Sequence, residues 1–264
     1  MTVLWFSRRV AISDALWKLV LKAHPILTEL SAAEQAQLRT LAEEFLGSMQ
    51  FRWGSGVERN EKTRAAVAVL ACLPILNLGL RWYRRWRTVL LVEHDYDTDF
   101  FEVDEAGVVH EGVDLASGEF GTLGSVVLSL ADVAQSGKGS GFNVVVHEAA
   151  HVLDCADGSF DGAPPLHKEM DRTRWAEVFT AAYEDLQRRV AGAPRAETHR
   201  RTAAPRYGSK RRRRNIFDPY AAEAPEEFFA VASELFFERP RRLQAEYPEV
   251  YRELALFYRQ DRVS

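Results

Sequence analysis

Two histidines stand four residues apart in the string NVVVHEAAHVLD at residues 143–154. On a helix, positions i and i+4 lie on one face, so His147 and His151 direct both imidazoles toward the same point. Imidazole nitrogens in that arrangement are typical zinc ligands. Glu148 lies one position beyond His147, offset from the pair, where it can take a proton from a water activated by the metal. The pattern predicts a hydrolytic centre with one zinc ion per chain.

The competing interpretation is a pair of surface histidines with a solvated glutamate between them. The apolar flanks VVV and VL argue against it, because they predict a buried helix in which unpaired polar groups cost free energy. The chain has only seven histidines in 264 residues, so this pattern rarely arises by chance within a helix-forming context. The metal interpretation is therefore preferred.

A catalytic zinc site needs a third protein ligand and keeps one position open. The longer pattern HExxHxxGxxH is absent, because Asp154 occupies the glycine position and Asp157 occupies the position of the third histidine. Both aspartates and His167 are therefore candidates for the third ligand. Carboxylates on a later helix are the remaining candidates.

That later helix is predicted from the string AEAPEEFFAVASELFF at residues 222–237, with Pro225 in its first turn. Glu227 and Glu234 are seven residues apart and share one face, whereas Glu226 leans toward another side. Charge on the helix surface, or a favourable interaction with the helix dipole, is the alternative role for such glutamates. Spacing alone leaves Glu227 and Glu234 nearly tied as the third ligand.

Helices are predicted to hold most of these groups. Apolar residues recur at three- and four-residue steps over residues 10–50, and Ser31 begins a capping-box pattern within this region. A longer helix is predicted over residues 61–86, with a kink or break at Pro74. After Gly141 the pattern is helical for most of the remaining chain.

A small sheet is predicted between these helical regions. Residues 51–60 are interpreted as a loop, and four short strings rich in Val, Leu and Phe are interpreted as strands. The strings lie at residues 88–94, 100–104, 107–113 and 124–130. The expected fold class is α+β, mainly helical, with a small mixed or antiparallel sheet.

Composition excludes several classes of protein. The chain has 264 residues and a net charge of −4, and its two cysteines, Cys72 and Cys155, are too far apart for a CxxC zinc ribbon or a disulfide scaffold. The most apolar run, residues 66–80, is shorter than the ~20 residues of a membrane span and contains Pro74. With no signal-peptide pattern at the N-terminus, we expect a cytoplasmic protein without membrane contact.

The charge is unevenly distributed. Residues 195–214 contain nine basic residues against one acid, Glu197. We interpret residues 194–215 as a solvated, flexible basic loop, because like charges repel and seldom pack. An arm that binds an acidic partner or nucleic acid is a less favoured alternative. A mobile lid or a site of self-cleavage is a further alternative.

Several separate strings between residues 28 and 262 carry a family resemblance. They are LSAAEQAQLR, ACLPILNLGLRWY, VVLSLADV, NVVVHEAAHVLD, DGAPPL, FDPYAAEAPEEFFAVASELFF and YPEVYRELALFYRQD. In this order they resemble the Mlc titration factor A family, bacterial zinc metallopeptidases of the gluzincin type. The resemblance implies a zincin-like metallopeptidase domain over residues 61–264, preceded by an N-terminal helical region at residues 1–60.

The resemblance also implies roles for individual residues. His147 and His151 bind zinc, Glu148 is the catalytic base, and Glu227 is the third ligand, which breaks the tie with Glu234. Tyr220, in the string FDPY, matches the active-site tyrosine of the family. Glu234 and Asp154 are then candidates for hydrogen bonds to the imidazoles.

The activity implied by the resemblance is hydrolysis of peptide bonds, aminopeptidase-like on small peptides. A strand near the HExxH helix, GSVVLSL, is expected to pair with an extended peptide substrate. The family name also implies a transcriptional repressor as partner, so the alternative is a regulatory protein that sequesters a repressor. A purely structural zinc protein is disfavoured, because structural sites fill all four positions with Cys and His.

Overall fold

The computed structural model describes residues 9–93, 102–103, 109–110, 124–192 and 216–263. Its helices are α1 (Asp14–Ala23), α2 (Ala32–Ser48), α3 (Glu61–Cys72), α4 (Leu130–Gln135), α5 (Val144–Asp154), α6 (Arg172–Ala191), α7 (Pro225–Glu238), α8 (Pro240–Glu246) and α9 (Pro248–Tyr258). Its strands are β1 (Gln50–Trp53), β2 (Thr88–Val92), β3 (Glu102–Val103), β4 (Val109–His110) and β5 (Ser125–Ser129). The predicted fold class, α+β and mainly helical, is confirmed.

Some predicted features lie partly or wholly outside the described residues. The basic loop at residues 194–215 is outside them altogether. Of the strands predicted at residues 100–104 and 107–113, only β3 and β4 are described, and these two pair in antiparallel fashion. None of the described helices is long and apolar enough to cross a membrane.

Local sequence sets the helix boundaries. Ser31 and Glu34 form the predicted capping box, in which each side chain accepts a hydrogen bond from the other residue's backbone N–H. Helix α3 begins after the cap Asn60 and ends at Cys72, two residues before Pro74. The helix predicted over residues 61–86 therefore breaks at the proline, which lacks the N–H that a helix interior needs.

The central sheet has three strands in the order β1-β2-β5, and both pairings are parallel, so the expectation of a mixed or antiparallel sheet is wrong for this sheet. Its first strand was missed: the loop prediction for residues 51–60 is wrong over residues 51–53, which belong to β1. A strand of four residues offers too little alternation to recognise in a sequence. The parallel direction of β1 and β2 follows from their connection, because helix α3 crosses over between them.

Aromatic side chains join the sheet to the N-terminal helices. Phe45 of α2 packs edge-on against Trp86 at 5.2 Å, and Trp86 in turn contacts Tyr83 at 5.1 Å between ring centroids. The buried Tyr83 hydroxyl donates to the carbonyl of Ala71 in α3, at 2.7 Å. Its polar tip is therefore satisfied inside the core, as a buried tyrosine requires.

Helices α5 and α7 pack side by side in the centre of the molecule. Every residue of α7 from Phe228 to the helix end is buried, including two acids, Glu234 and Glu238. A helix that is buried on all sides in this way is part of the protein core. Any charge that it carries must therefore find partners within the core.

The turn that follows α5 contacts the start of α7. Gly162 has a φ of +77°, and a Cβ atom at this position would lie only 2.5 Å from the carbonyl oxygen of Pro225. Its backbone N–H donates to Asp154 at the end of α5, at 2.9 Å. One glycine thus joins the ends of the two central helices.

We expect Gly162→Ala to destabilise the fold by about 3 kcal/mol, because it combines the strain of a left-handed backbone with a backbone clash. Gly56→Ala is the matched control, since Gly56 has the same φ of +77° and open space around a Cβ atom. The control is expected to cost about 1 kcal/mol. Urea denaturation of both variants measures the difference, and equal losses would contradict the proposed clash.

Candidate metal centre

Helix α5 places its two histidines inside the molecule. Asn143 caps the helix by accepting a hydrogen bond from the N–H of Val146 at 3.1 Å. His147 and His151 are 5% and 6% exposed, and their Nε2 atoms lie 3.1 Å apart. The apolar flanks predicted the buried helix and the spacing predicted the shared direction of the two imidazoles, and both are observed.

Glu227 in the first turn of α7 completes the group. Its Oε2 lies 3.1 Å from His147 Nε2, and its Oε1 lies 3.6 Å from His151 Nε2. One potential ligand atom from each of the three residues lies within 4.8 Å of the others. The group is therefore suited to hold a metal ion.

The donor set and its surroundings favour a cation at this point. Burial alone would lower the pKa of His147, but the carboxylates of Glu227 and Glu234 raise it to about 10. Burial raises the pKa of Glu227, and the two imidazoles outweigh it and hold the value below its usual range. Glu227 Oε2 is buried and, apart from its 3.1 Å contact with Nε2 of His147, has no hydrogen-bond partner among the described residues. Two imidazoles with one carboxylate form a ligand set typical of catalytic zinc.

Glu234 occupies a different position from Glu227. Its Oε1 lies 2.9 Å from Nδ1 of His147, on the side of the ring that faces away from the group. Its Oε2 accepts a hydrogen bond from the backbone N–H of Asn143. Glu227 thus faces the two Nε2 atoms, whereas Glu234 contacts the opposite nitrogen of the His147 ring.

The other candidate ligands lie elsewhere. His167 donates from Nε2 to the carbonyl of Phe257 at 2.8 Å, and its ring packs against Trp82. Asp157 accepts from the N–H of Ser159 at 3.0 Å. Among the described residues, the metal-competent group includes neither of these residues, nor Glu226.

Asp154 is a buried acid rather than a ligand. It is 0% exposed, and its Oδ2 accepts from the N–H of Gly162 at 2.9 Å. Its Oδ1 has no hydrogen-bond partner, and neither has Nδ1 of His151. The predicted hydrogen bond from an imidazole N–H to Asp154 is therefore not observed. Burial raises the pKa of Asp154 to about 7.

Glu148 and Tyr220 lie beside the group. Glu148 is half-buried on α5, and its negative charge helps to raise the pKa of His147. Tyr220 lies in a short 3-10 turn, Pro219–Ala222, whose start is fixed by a hydrogen bond from the Tyr220 N–H to Asp218. The Tyr220 ring centroid is 6.2 Å from that of His147. The side chains of Tyr220 and His147 line a small cavity of about 90 Å³.

Sequence reasoning missed the fourth glutamate of α7, Glu238. Glu238 accepts hydrogen bonds from the N–H of Gly137 at 2.8 Å, from the N–H of Ser140 at 3.0 Å and from Nδ2 of Asn143 at 3.0 Å. It fixes the glycine-rich segment that precedes α5. Its spacing of four residues from Glu234 was the available signal, because both positions fall on one helix face.

Comparison with known protein families assigns the chain to one of them. Residues 5–259 match the sequence profile of the family described as glucose-regulated metallo-peptidase M90. The chain belongs to this family, so it is a member of a metallopeptidase family.

Its relatives include proteins called Mlc titration factor A. The protein of that name from Salmonella arizonae is 34% identical over 251 residues, which cover 94% of this chain and 92% of the relative. The one from an Escherichia coli strain is 33% identical over 237 residues, which cover 90% of this chain and 83% of the relative. The expected family resemblance is confirmed.

Asp154 should make stability depend on pH. Its pKa of about 7 in the folded protein lies above the ordinary aspartate value of 3.8. At pH values between 3.8 and about 7, the folded state therefore binds more protons than the unfolded state. The free energy of unfolding falls as pH rises through this window. In wild type the free energy of unfolding should fall by at most about 1.4 kcal/mol per pH unit because of this group. We expect Asp154→Asn to remove that fall.

The measurement is urea denaturation of wild type and Asp154→Asn between pH 4 and pH 8. Asp157→Asn is the matched control, because Asp157 is an exposed acid three residues further on. Its curve should run parallel to that of wild type. A parallel curve for Asp154→Asn as well would show that Asp154 does not titrate in this window.

Proposed function

We propose that this protein is a zinc-dependent peptidase that hydrolyses peptide bonds. The observation that carries the proposal is the convergence of His147 Nε2, His151 Nε2 and the Glu227 carboxylate. Glu148 lies on the same helix as both histidines, one residue beyond His147. Membership of a metallopeptidase family supports the same conclusion.

His147, His151 and Glu227 would hold the zinc ion. When bound, zinc supplies Lewis acidity toward water and toward the scissile carbonyl. Zinc fits better than magnesium or calcium, since those ions prefer sites made only of oxygen ligands. Glu234 would keep the His147 ring in the tautomer that carries its proton on Nδ1, which leaves Nε2 free to coordinate.

Two further side chains would act on the reacting atoms. Glu148 would take the proton from the attacking water and pass it to the departing amine, the usual role of a general base that then acts as an acid. Tyr220 would donate its phenolic proton to the oxyanion that forms on the carbonyl. The contact between the Tyr220 and His147 rings supports this role, because it keeps the phenol near the ligand set.

The sheet offers a way to bind an extended peptide. In the described three-stranded sheet, β5 lies at one end and pairs with β2 alone. Val127 in the middle of β5 is 42% exposed. A peptide added along this strand would gain backbone hydrogen bonds with little sequence preference. We infer broad specificity, with aminopeptidase-like activity on small peptides as the form that the family resemblance supports.

Glu148→Gln tests the catalytic part of the proposal. We expect it to retain about one zinc ion per chain and to lose about a thousandfold in kcat/KM, because it removes the general base and leaves the ligands in place. The assay is hydrolysis of a panel of aminoacyl-anilides and longer peptides, with metal content measured on the same samples. Activity on the anilides would assign an aminopeptidase.

Glu223→Gln is the matched control for this experiment, since Glu223 is an exposed acid outside the ligand group. It should retain wild-type activity. Equal activity of wild type and Glu148→Gln, both loaded with zinc, would contradict the peptidase proposal for these substrates.

Glu234→Gln tests how the zinc ligand is oriented. We expect zinc affinity to fall about 10- to 100-fold, because a neutral amide is a weaker acceptor for the His147 N–H than a carboxylate. Titration against a chelator of known affinity measures this change. Glu226→Gln, on the same helix but outside the group, should bind zinc as wild type does. An unchanged affinity in Glu234→Gln would remove Glu234 from the metal centre.

A second candidate function is the binding of a transcriptional repressor. It is favoured by the name of the relatives, Mlc titration factor A, which describes a protein that titrates Mlc. Such a role would place the protein in the cytoplasm, where repressors act. It needs a surface and no general base, so Glu148→Gln should bind the repressor as wild type does. Co-purification with the repressor of the same genome separates the two functions.

A further inference from the structure

A larger cavity, of about 650 Å³, lies apart from the metal centre. It shares no lining residue with the small cavity beside His147. Its walls come from α2, from the 3-10 turn Leu80–Tyr83 and from the two turns that follow α5. The lining residues are Glu44, Leu80, Arg81, Trp82, Arg84, Ala156, Asp157 and Pro165. The metal chemistry uses none of them.

Arginine side chains form the cationic part of the cavity wall. Arg84 and Arg81 line it, and both are exposed. Arg84 donates from Nη2 to the carbonyl of Ala156 at 3.0 Å, which holds its guanidinium against the wall. In the part of the chain that the structure describes, the side chain of Arg81 forms no ion pair or hydrogen bond. Arg85 adds a third guanidinium beside Gly158 on the adjacent turn.

The acids of the cavity are already engaged. Glu44 forms an ion pair with Arg9 at 2.5 Å. Asp157 accepts a hydrogen bond from the N–H of Ser159 at 3.0 Å. The guanidinium of Arg81, by contrast, meets neither a carboxylate nor a carbonyl among the described residues, and a guanidinium fork is suited to carboxylate and phosphate oxygens.

The rest of the wall is apolar and rigid. Leu80, Trp82, Ala156 and Pro165 supply it. The Trp82 indole is fixed by edge-on contacts with the rings of His167 at 5.6 Å and Phe257 at 5.7 Å. A cavity of a few hundred cubic ångströms, with apolar walls and a few convergent polar groups, is typical of sites for small molecules.

We propose that this cavity binds a small organic anion, in which one carboxylate or phosphate group is attached to an aromatic or apolar body. The anionic group pairs with Arg81 and Arg84, and the body lies against Trp82 and Pro165. This site is separate from the proposed peptidase centre. The anion-binding proposal can therefore be tested even if the peptidase centre is inactive.

The experiment is isothermal titration calorimetry of the full chain with four matched probes. Naphthalene-1-acetate and 1-naphthyl phosphate carry the two anionic groups on one ring system. Naphthalene-1-acetamide and 1-naphthylmethylamine present the same ring with a neutral or a cationic group. We expect both anions to bind, the amide and the amine to bind at least about tenfold more weakly, and the affinity of the anions to fall with added salt. The ratio of the two anion affinities distinguishes a carboxylate site from a phosphate site.

Arg81→Gln should weaken both anions by at least about tenfold, since it removes the unpaired guanidinium and no interaction of the fold. Arg172→Gln is the matched control, because Arg172 is exposed on α6 and outside the cavity. It should bind both anions as wild type does. Three results would overturn the proposal: no binding of either anion at millimolar concentration, equal binding of the amide, or anion binding unchanged in Arg81→Gln. The last result would place the anion elsewhere, including on the metal.

Discussion

The contact between α5 and α7 is the interaction on which the rest of this structure depends. Three glutamates on α7, at positions 227, 234 and 238, face α5 and the segment before it. A buried carboxylate is costly unless hydrogen bonds or opposite charges satisfy it. Here each one meets imidazole nitrogens, backbone N–H groups or the Asn143 amide. The same contacts that make their burial possible set the position of α5 relative to α7.

The partners that a buried acid meets also explain why Asp154 differs from Glu227 and Glu234. Glu227 and Glu234 contact imidazole nitrogens, which can carry a proton or bind a metal ion. The negative charge of each carboxylate therefore has a partner. Asp154 receives a single backbone N–H, and desolvation therefore dominates its pKa. Proximity to a metal centre in the sequence is thus a poor guide to a carboxylate's role. The partners that it meets in the fold decide that role.

The sequence was most informative where the controlling geometry is local. The shared direction of His147 and His151 depends only on the helix repeat, and the capping box at Ser31 and the break at Pro74 depend only on neighbouring residues. The choice between Glu227 and Glu234 depends on how α7 packs against α5, which helix spacing cannot supply. The short strand β1 and the contacts of Glu238 were missed for the same reason, since partners distant in the chain define both.

The carboxylate of Glu234 contacts both a ring nitrogen of His147 and the backbone N–H of Asn143, the cap of the same helix. One side chain thus orders the helix start and the imidazole together, and both are enclosed by the core. Contacts within the core thus hold the side chains of the proposed ligands, which limits the conformational entropy that binding an ion would cost. In small zinc fingers, by contrast, the metal is needed for folding. On the proposed function, Glu234 links the start of α5 to the orientation of the imidazole that would coordinate the ion.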